Sequence, residues 1–286
     1  MAASNSCEWQ QRAEELQQKW ERLVSEARDD AVLSKASDTL QSLKQLCTEK
    51  TEPFNILSIL HLYSKAVLDI TFFEENQLVN EDFPEDSSQQ KVKDLIQMLS
   101  EPELLAKEAN MGKEPPVVVL EDEVLECLYW RRGALLYMYS HTVREREGWL
   151  CRHASTFKQC LNDGVLFLLK MLKTRSPVNL NDVTFRDLST ATLLNQGIFS
   201  DVHVLALMYC GEMCYWMLKY CSDKEQSTDD GPHKECCNTS QFNLQDFKGT
   251  GEKALETYIY VCEGPLSGHG WSTENAKNIL QLLNKR

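Results

Sequence analysis

The side chains of this sequence best suited to chemistry are its sulfurs and imidazoles, and their spacing limits what they can do. His203, Cys210 and Cys214 fall on one face of one predicted helix, over residues 202–221. Cys210 and Cys214 stand four apart and could share a zinc ion, with His203 two turns away. A tetrahedral site needs further close ligands from other elements, and no C-x-x-C or H-x3-H knuckle occurs. The spacing therefore predicts buried cysteines that serve as small core hydrophobes. His233, Cys236 and Cys237 form a second cluster inside a polar tract, where nothing orients ligands toward a metal. No metal site is predicted from either group.

Gly249-Thr250-Gly251-Glu252-Lys253-Ala254 is a literal dinucleotide fingerprint. That pattern binds a pyrophosphate only between a buried strand and a helix in a βαβ unit, and no such unit precedes it. The phosphate-loop pattern also fails, because no Ser or Thr follows a Gly-Lys pair. A flexible start to the helix accounts for the glycines. G-x-S-x-G, H-E-x-x-H and catalytic-cysteine signatures are missing. The sequence predicts no catalytic residues and no cofactor, and so no enzyme.

Whatever these residues do, helices must position them. Residues 125–143, LECLYWRRGALLYMYSHTV, are apolar on two opposite stripes with the three-and-four spacing of an α-helix. Such a helix lies inside a bundle. Arg131 and Arg132 then sit on faces that want burial, where an unpaired guanidinium is costly. They are predicted to be structural buried charges, at least one of them paired with a carboxylate from another helix or from an acidic connector. That connector is FFEENQLVNEDFPEDSS, residues 72–88, where Glu81, Asp82, Glu85 and Asp86 flank Phe83 and Pro84. It reads as a solvated acidic loop with its aromatics in the core, as the acid source for the arginines, or as a partner-binding edge formed by Glu81, Asp82, Phe83, Pro84, Glu85 and Asp86.

The rest of the chain reads as helices too. Trp9, Ala13, Leu16, Trp20 and Leu23, then Leu33, Ala36, Leu40, Leu43 and Cys47, predict a helical hairpin over 7–48. A helix follows Pro53, another runs from Ser87 or Ser88 to a stop near Pro102, and residues 117–119 approach the 125–143 helix extended. A long helix passes through Trp149 and Leu172. A short one covers about 185–195, and Ser200 caps the 202–221 helix. Residues 222–241 are polar and without period, which predicts a mobile loop. Helices over 253–262 and 273–284 close the chain. The fold class is all-α, a single domain over 1–286 with about ten helices and no sheet.

The chain has 286 residues and a formal net charge of −13. That balance argues against nucleic acid and against unaided binding to anionic lipid. The eleven cysteines are odd in number and scattered, a pattern of reduced thiols in a cytoplasmic protein. The start, MAASNSCEW, has neither the basic nor the apolar region of a signal peptide. The apolar run at 202–218 carries Glu212 at its centre, which costs about 2.5–3.5 kcal/mol on membrane insertion, so no transmembrane segment is predicted.

Four tracts carry a resemblance: residues 71–108, the 125–143 helix, GIFSDVHVLALMYCGEMCYW at 197–216, and VCEGPL at 261–266. Together they resemble a small animal family, the Rab-seven-interacting subunit associated with the Mon-one/Ccz-one complex. The likeness runs from about residue 55 to 286 and is weak before 50 and across 222–245. The resemblance implies a non-enzymatic accessory protein, with the late-endosomal Rab-seven GTPase and its Mon-one/Ccz-one exchange complex as partners. It also implies recruitment of that GTPase to damaged mitochondria during mitophagy. It assigns no site residues. A divergent helical-repeat scaffold for other partners, or an enzyme using the Cys/His face of the 202–221 helix, are the alternatives.

Overall fold

The structure, a computed structural model, describes residues 2–26, 30–48, 55–110, 118–175, 199–221 and 246–285. Every regular element among them is helical: α1 (Ala2–Glu26), α2 (Ala31–Thr48), α3 (Ile56–Asn80), α4 (Ser88–Ala109), α5 (Asp122–Arg144), α6 (Trp149–Thr174), α7 (Asp201–Tyr220), α8 (Phe247–Glu263) and α9 (Glu274–Asn284). The all-α expectation holds for them. The predicted loop 222–241, with His233, Cys236 and Cys237, and the short helix over 185–195 lie outside the described residues. By its internal contacts the chain divides into two compact units, Met1–Glu145 and Arg146–Arg286.

In the first unit, α1 and α2 form the hairpin. Leu16 and Leu23 of α1 and Leu33, Leu40 and Leu43 of α2 are buried. Asp30 caps α2 by accepting from the Val32 and Leu33 amides at 2.8 and 3.2 Å. The Trp20 indole donates to the Leu33 carbonyl at 2.7 Å, tying the two helices at their turn. Helix α3 packs against α1, α2, α4 and α5. It is, among the described residues, the one helix long and apolar enough to cross a membrane by length and composition. Its buried residues, from Ile59 through Ile70 to Leu78, face these neighbours.

Two helix ends differ from the sequence expectation. Helix α3 continues to Asn80, through the first half of the predicted connector, because Phe73, Glu75 and Leu78 extend its buried face. It then stops in a left-handed turn, with Asp82 at φ 52° and Phe83 at φ 51°. The Phe83 amide donates to the Leu78 carbonyl at 2.8 Å and the Asp82 amide to Val79 at 3.1 Å. This pattern closes a helix C-terminus and usually uses glycine at the left-handed position. Asp is among the few other residues that adopt that conformation readily.

The second difference is α4, which runs through Pro102 to Ala109 instead of stopping near the proline. A proline inside a helix costs about 3 kcal/mol. Beyond it Leu105 and Ala106 are buried, and a buried leucine alone contributes about 1.5–3 kcal/mol. Asn110 then clips the chain: its side-chain amide accepts from the Val118 N–H at 2.8 Å and donates to the Val118 carbonyl. The residues before α5 thus find a backbone-like partner in a side chain.

The second unit packs α7 against α6 and α8, with α9 across α8 and α7. Two glycines set how closely α7 and α8 approach. A Cβ on Gly211 would meet Leu255 Cγ at 2.4 Å, and one on Gly251 would meet Cys214 Cβ at 2.9 Å. Glu212 is buried in the middle of α7, where it accepts from the Asn275 side chain of α9 at 2.6 Å.

Candidate functional site

The arginines at the centre of α5 each reach a different helix. Arg131 Nε donates to Glu75 Oε2 on α3 at 2.6 Å. Its other nitrogens donate to the Leu68 carbonyl at 3.2 Å and the Thr71 hydroxyl at 3.3 Å, both on α3. The guanidinium also lies 5.1 Å from the centre of the Phe72 ring, within cation–π range. Glu75 is 6% exposed, and its Oε1 has no hydrogen-bond partner among the described residues. Burial therefore pushes the Glu75 carboxyl above the usual carboxylate range, with Arg131 pulling it down and Glu74 adding to the rise.

Arg132 points the other way, to α4. It is 2% exposed. Its Nε donates to the Leu128 carbonyl at 3.1 Å, one Nη to Ser100 Oγ at 3.1 Å, and the other to Glu103 Oε2 at 3.2 Å. Burial works to lower the proton affinity of Arg132, and Glu103 opposes it. Burial raises the Glu103 carboxyl as well, but the Lys107 hydrogen bond and the Arg132 charge outweigh it and bring it down to about 2. Both guanidinia are spent on holding α5 to its neighbours.

The connector residues separate by exposure. Glu81, Asp82, Glu85 and Asp86 are exposed and Pro84 is half-buried, whereas Phe83 is in the core. Phe83 lies 5.7 Å from the Tyr139 ring of α5. The structure thus displays the acids and withdraws Phe83, as in the reading of a solvated acidic loop with its aromatics in the core. The left-handed turn causes this, because it folds Phe83 back toward the end of α3.

The sulfur and imidazole face of α7 is interior. His203, Cys210 and Cys214 are each at most 1% exposed. His203 Nδ1 accepts from the Ser200 amide at 3.1 Å in a reciprocal capping arrangement at the start of α7. Burial, with Cys210 adding to it, pushes the Cys214 thiol well up, away from the thiolate that metals and electrophiles require. Among the described residues no group of three His, Cys, Asp or Glu side chains is placed to hold a metal ion. Gly249 and Gly251 start α8, where Asp246 accepts from the Gly249 amide at 2.8 Å. Gly251 is buried at the α7–α8 crossing, so close packing rather than a flexible start explains it.

Sequence reasoning missed Glu103, because it lies just beyond Pro102, where the helix was expected to end. The spacing of Ser100 and Glu103, three apart and so on one helix face, was the available signal. It also missed an open groove of about 550 Å³ lined by Glu256, Ile259, Tyr260, Glu263 and Gly264 with Leu280. The spacing of Glu256, Ile259, Tyr260 and Glu263 on the face of α8 opposite its buried residues was legible.

Fold and clusters together define an all-helical protein whose buried charges bind helix to helix. Residues 32–284 match the family described as RAB7A-interacting MON1-CCZ1 complex subunit 1, and the chain belongs to that family. The human protein of that name is 53% identical over 262 residues, covering 90% of this chain and 88% of its own length. The zebrafish protein is 46% identical over 279 residues, 97% of each chain. No solved structure matches this chain.

Proposed function

We propose that this chain is a non-catalytic subunit that binds the GTPase RAB7A and the MON1-CCZ1 complex. The observation that carries the reading is family membership over residues 32–284, together with relatives whose names state those partners. The buried, protonated Cys214 and the capping role of His203 support a scaffold over a Cys/His enzyme. We place the protein in the cytoplasm, from which it helps bring the GTPase to damaged mitochondria during mitophagy. The exposed acids at 81–86 contribute long-range attraction for a basic partner surface.

The test combines a pull-down with a nucleotide-release assay. The chain should retain RAB7A or the MON1-CCZ1 complex on beads, and alone it should leave the rate of GDP release from RAB7A unchanged. Faster release by this chain alone would contradict the non-catalytic role. In cells lacking the protein, less RAB7A should reach depolarised mitochondria; undiminished recruitment would remove the mitophagy role.

A further inference from the structure

A cavity of about 300 Å³ lies where α1, α3 and α4 of the first unit meet. Each helix gives it one leucine, and these three, Leu23, Leu78 and Leu95, are at most 7% exposed. Two polar side chains of the lining precede each leucine by one and by four residues, as Arg22 and Lys19 precede Leu23. Positions i, i+3 and i+4 share one helix face, so the leucines form an apolar floor and the polar groups a rim. A volume of this size is at the lower end of small-molecule sites, which combine an apolar lining with a few polar groups that orient the ligand.

The rim does not neutralise itself. Lys19 and Glu74 are paired at 2.8 Å, and those two charges are spent. Arg22, Glu26 and Lys91 are exposed, and no ion pair among the described residues takes them up. Arg22 donates only from Nε, to the Gln18 carbonyl at 3.4 Å, which leaves the fork of its two Nη groups for a ligand. Asp94 accepts from Gln90 Nε2 at 2.8 Å, a neutral donor that leaves its charge in place. The lining therefore holds as many acids as cations. A simple anion or cation meets as much repulsion as attraction there, whereas a zwitterion addresses both signs. A guanidinium fork suits a carboxylate, which it binds through two parallel N–H donors.

We propose that this cavity binds a small zwitterion with a compact apolar body, of which a free α-amino acid of leucine size is the simplest. Its carboxylate meets Arg22 and Lys91, its ammonium group meets Glu26 and Asp94, and its side chain lies on the three leucines. The site does not depend on the partners of the functional reading.

The test is an NMR titration of the full chain, carrying labelled leucine methyl groups, with L-leucine. The methyl signals of Leu23, Leu78 and Leu95 should move and saturate together. Three probes each lack one matching part: glycine the apolar body, N-acetyl-leucine the ammonium group, and leucinamide the carboxylate. Each should bind about tenfold more weakly or worse, since a buried apolar group or a charge-assisted hydrogen bond is lost. Inorganic phosphate, a simple anion, should leave these signals in place. The double variant Arg22→Gln with Lys91→Gln should lose affinity for L-leucine about tenfold and keep its weak affinity for leucinamide. Lys93→Gln, an exposed change on α4 outside the cavity, should bind as wild type does. Thermal melts confirm that each variant is folded. If L-leucine leaves the three methyl signals unmoved, the site is overturned. N-acetyl-leucine or phosphate binding as tightly as L-leucine would overturn the zwitterion. Equal affinity of wild type and the double variant for L-leucine would contradict the assignment of the rim. The RAB7A and MON1-CCZ1 assays read the functional proposal separately, so the failure of one is distinct from the failure of the other.

Discussion

Arg132 donates to Glu103 Oε2 across 3.2 Å, and that contact joins α5 to the turn of α4 that lies beyond Pro102. The pair explains how a proline is carried inside a helix. The turn after it is fastened to the centre of the neighbouring helix by a buried, charge-assisted hydrogen bond. Arg131 makes the corresponding attachment to α3 through Glu75, so one dipeptide orients α5 against two helices.

Removing one partner of a buried pair leaves the other charge stranded, at a typical cost of about 3–5 kcal/mol. Arg132→Ala should lower the stability of the protein by that amount in urea denaturation. The double variant Arg132→Met with Glu103→Leu should recover much of the loss, because no buried charge then remains unpaired. A double variant no more stable than Arg132→Ala would show that the cost lies in lost packing.

The two acids should act on stability with opposite sign as pH falls. The Glu103 carboxyl drops from 4.5 to about 2 on folding. Its contribution is therefore present above about 4.5 and lost as pH falls toward 2. The Glu75 carboxyl is raised on folding, so its contribution is present at low pH and lost as pH rises. Denaturation midpoints measured from pH 6 to pH 2.5 should fall less steeply for Glu103→Gln than for wild type, and more steeply for Glu75→Gln.

Close approach of α7 and α8 should fail when a methyl group is added at the crossing. Leu255, which the new Cβ of Gly211→Ala would strike, is fully buried. Overpacking of this kind costs about 1–3 kcal/mol. Gly211→Ala and Gly251→Ala should both lower the melting temperature, while Gly268→Ala, with nothing near its Cβ, should act only through its positive φ of 85°.

The connector should divide into a structural residue and a charged surface. Phe83→Ala should destabilise by about 3–5 kcal/mol, as for other buried aromatics. Neutralising Glu81, Asp82, Glu85 and Asp86 together should leave the melt nearly unchanged and slow association with a basic partner at low salt. Equal effects of both changes on the melt would contradict this division.

The fold class was legible because apolar side chains recur at helical spacing in every described element, from Leu33 and Leu40 to Ile279 and Leu283. The burial of Arg132 was legible from its stripe, but its partner was not. Pro102 sends a strong local signal to stop, and only the packing of Leu105 and the pull of Arg132 override it. Phe83 was left between two readings, a core aromatic of a solvated loop or the centre of a partner-binding edge, for a similar reason. Composition around it is polar, and the left-handed turn that buries it uses Asp82 where glycine would have announced it. The groove was invisible as a shape because it needs Leu280 from a separate helix, although its α8 half is written in the spacing of residues 256–263.

The central claim is that this helical scaffold acts by binding RAB7A and the MON1-CCZ1 complex rather than by chemistry of its own. Isothermal titration of the purified chain into RAB7A-GDP, RAB7A-GTP and the MON1-CCZ1 complex tests it most directly. A saturable, stoichiometric heat with at least one of them is the expected result. Flat titrations against all three, with a chain that melts cooperatively, would contradict the account.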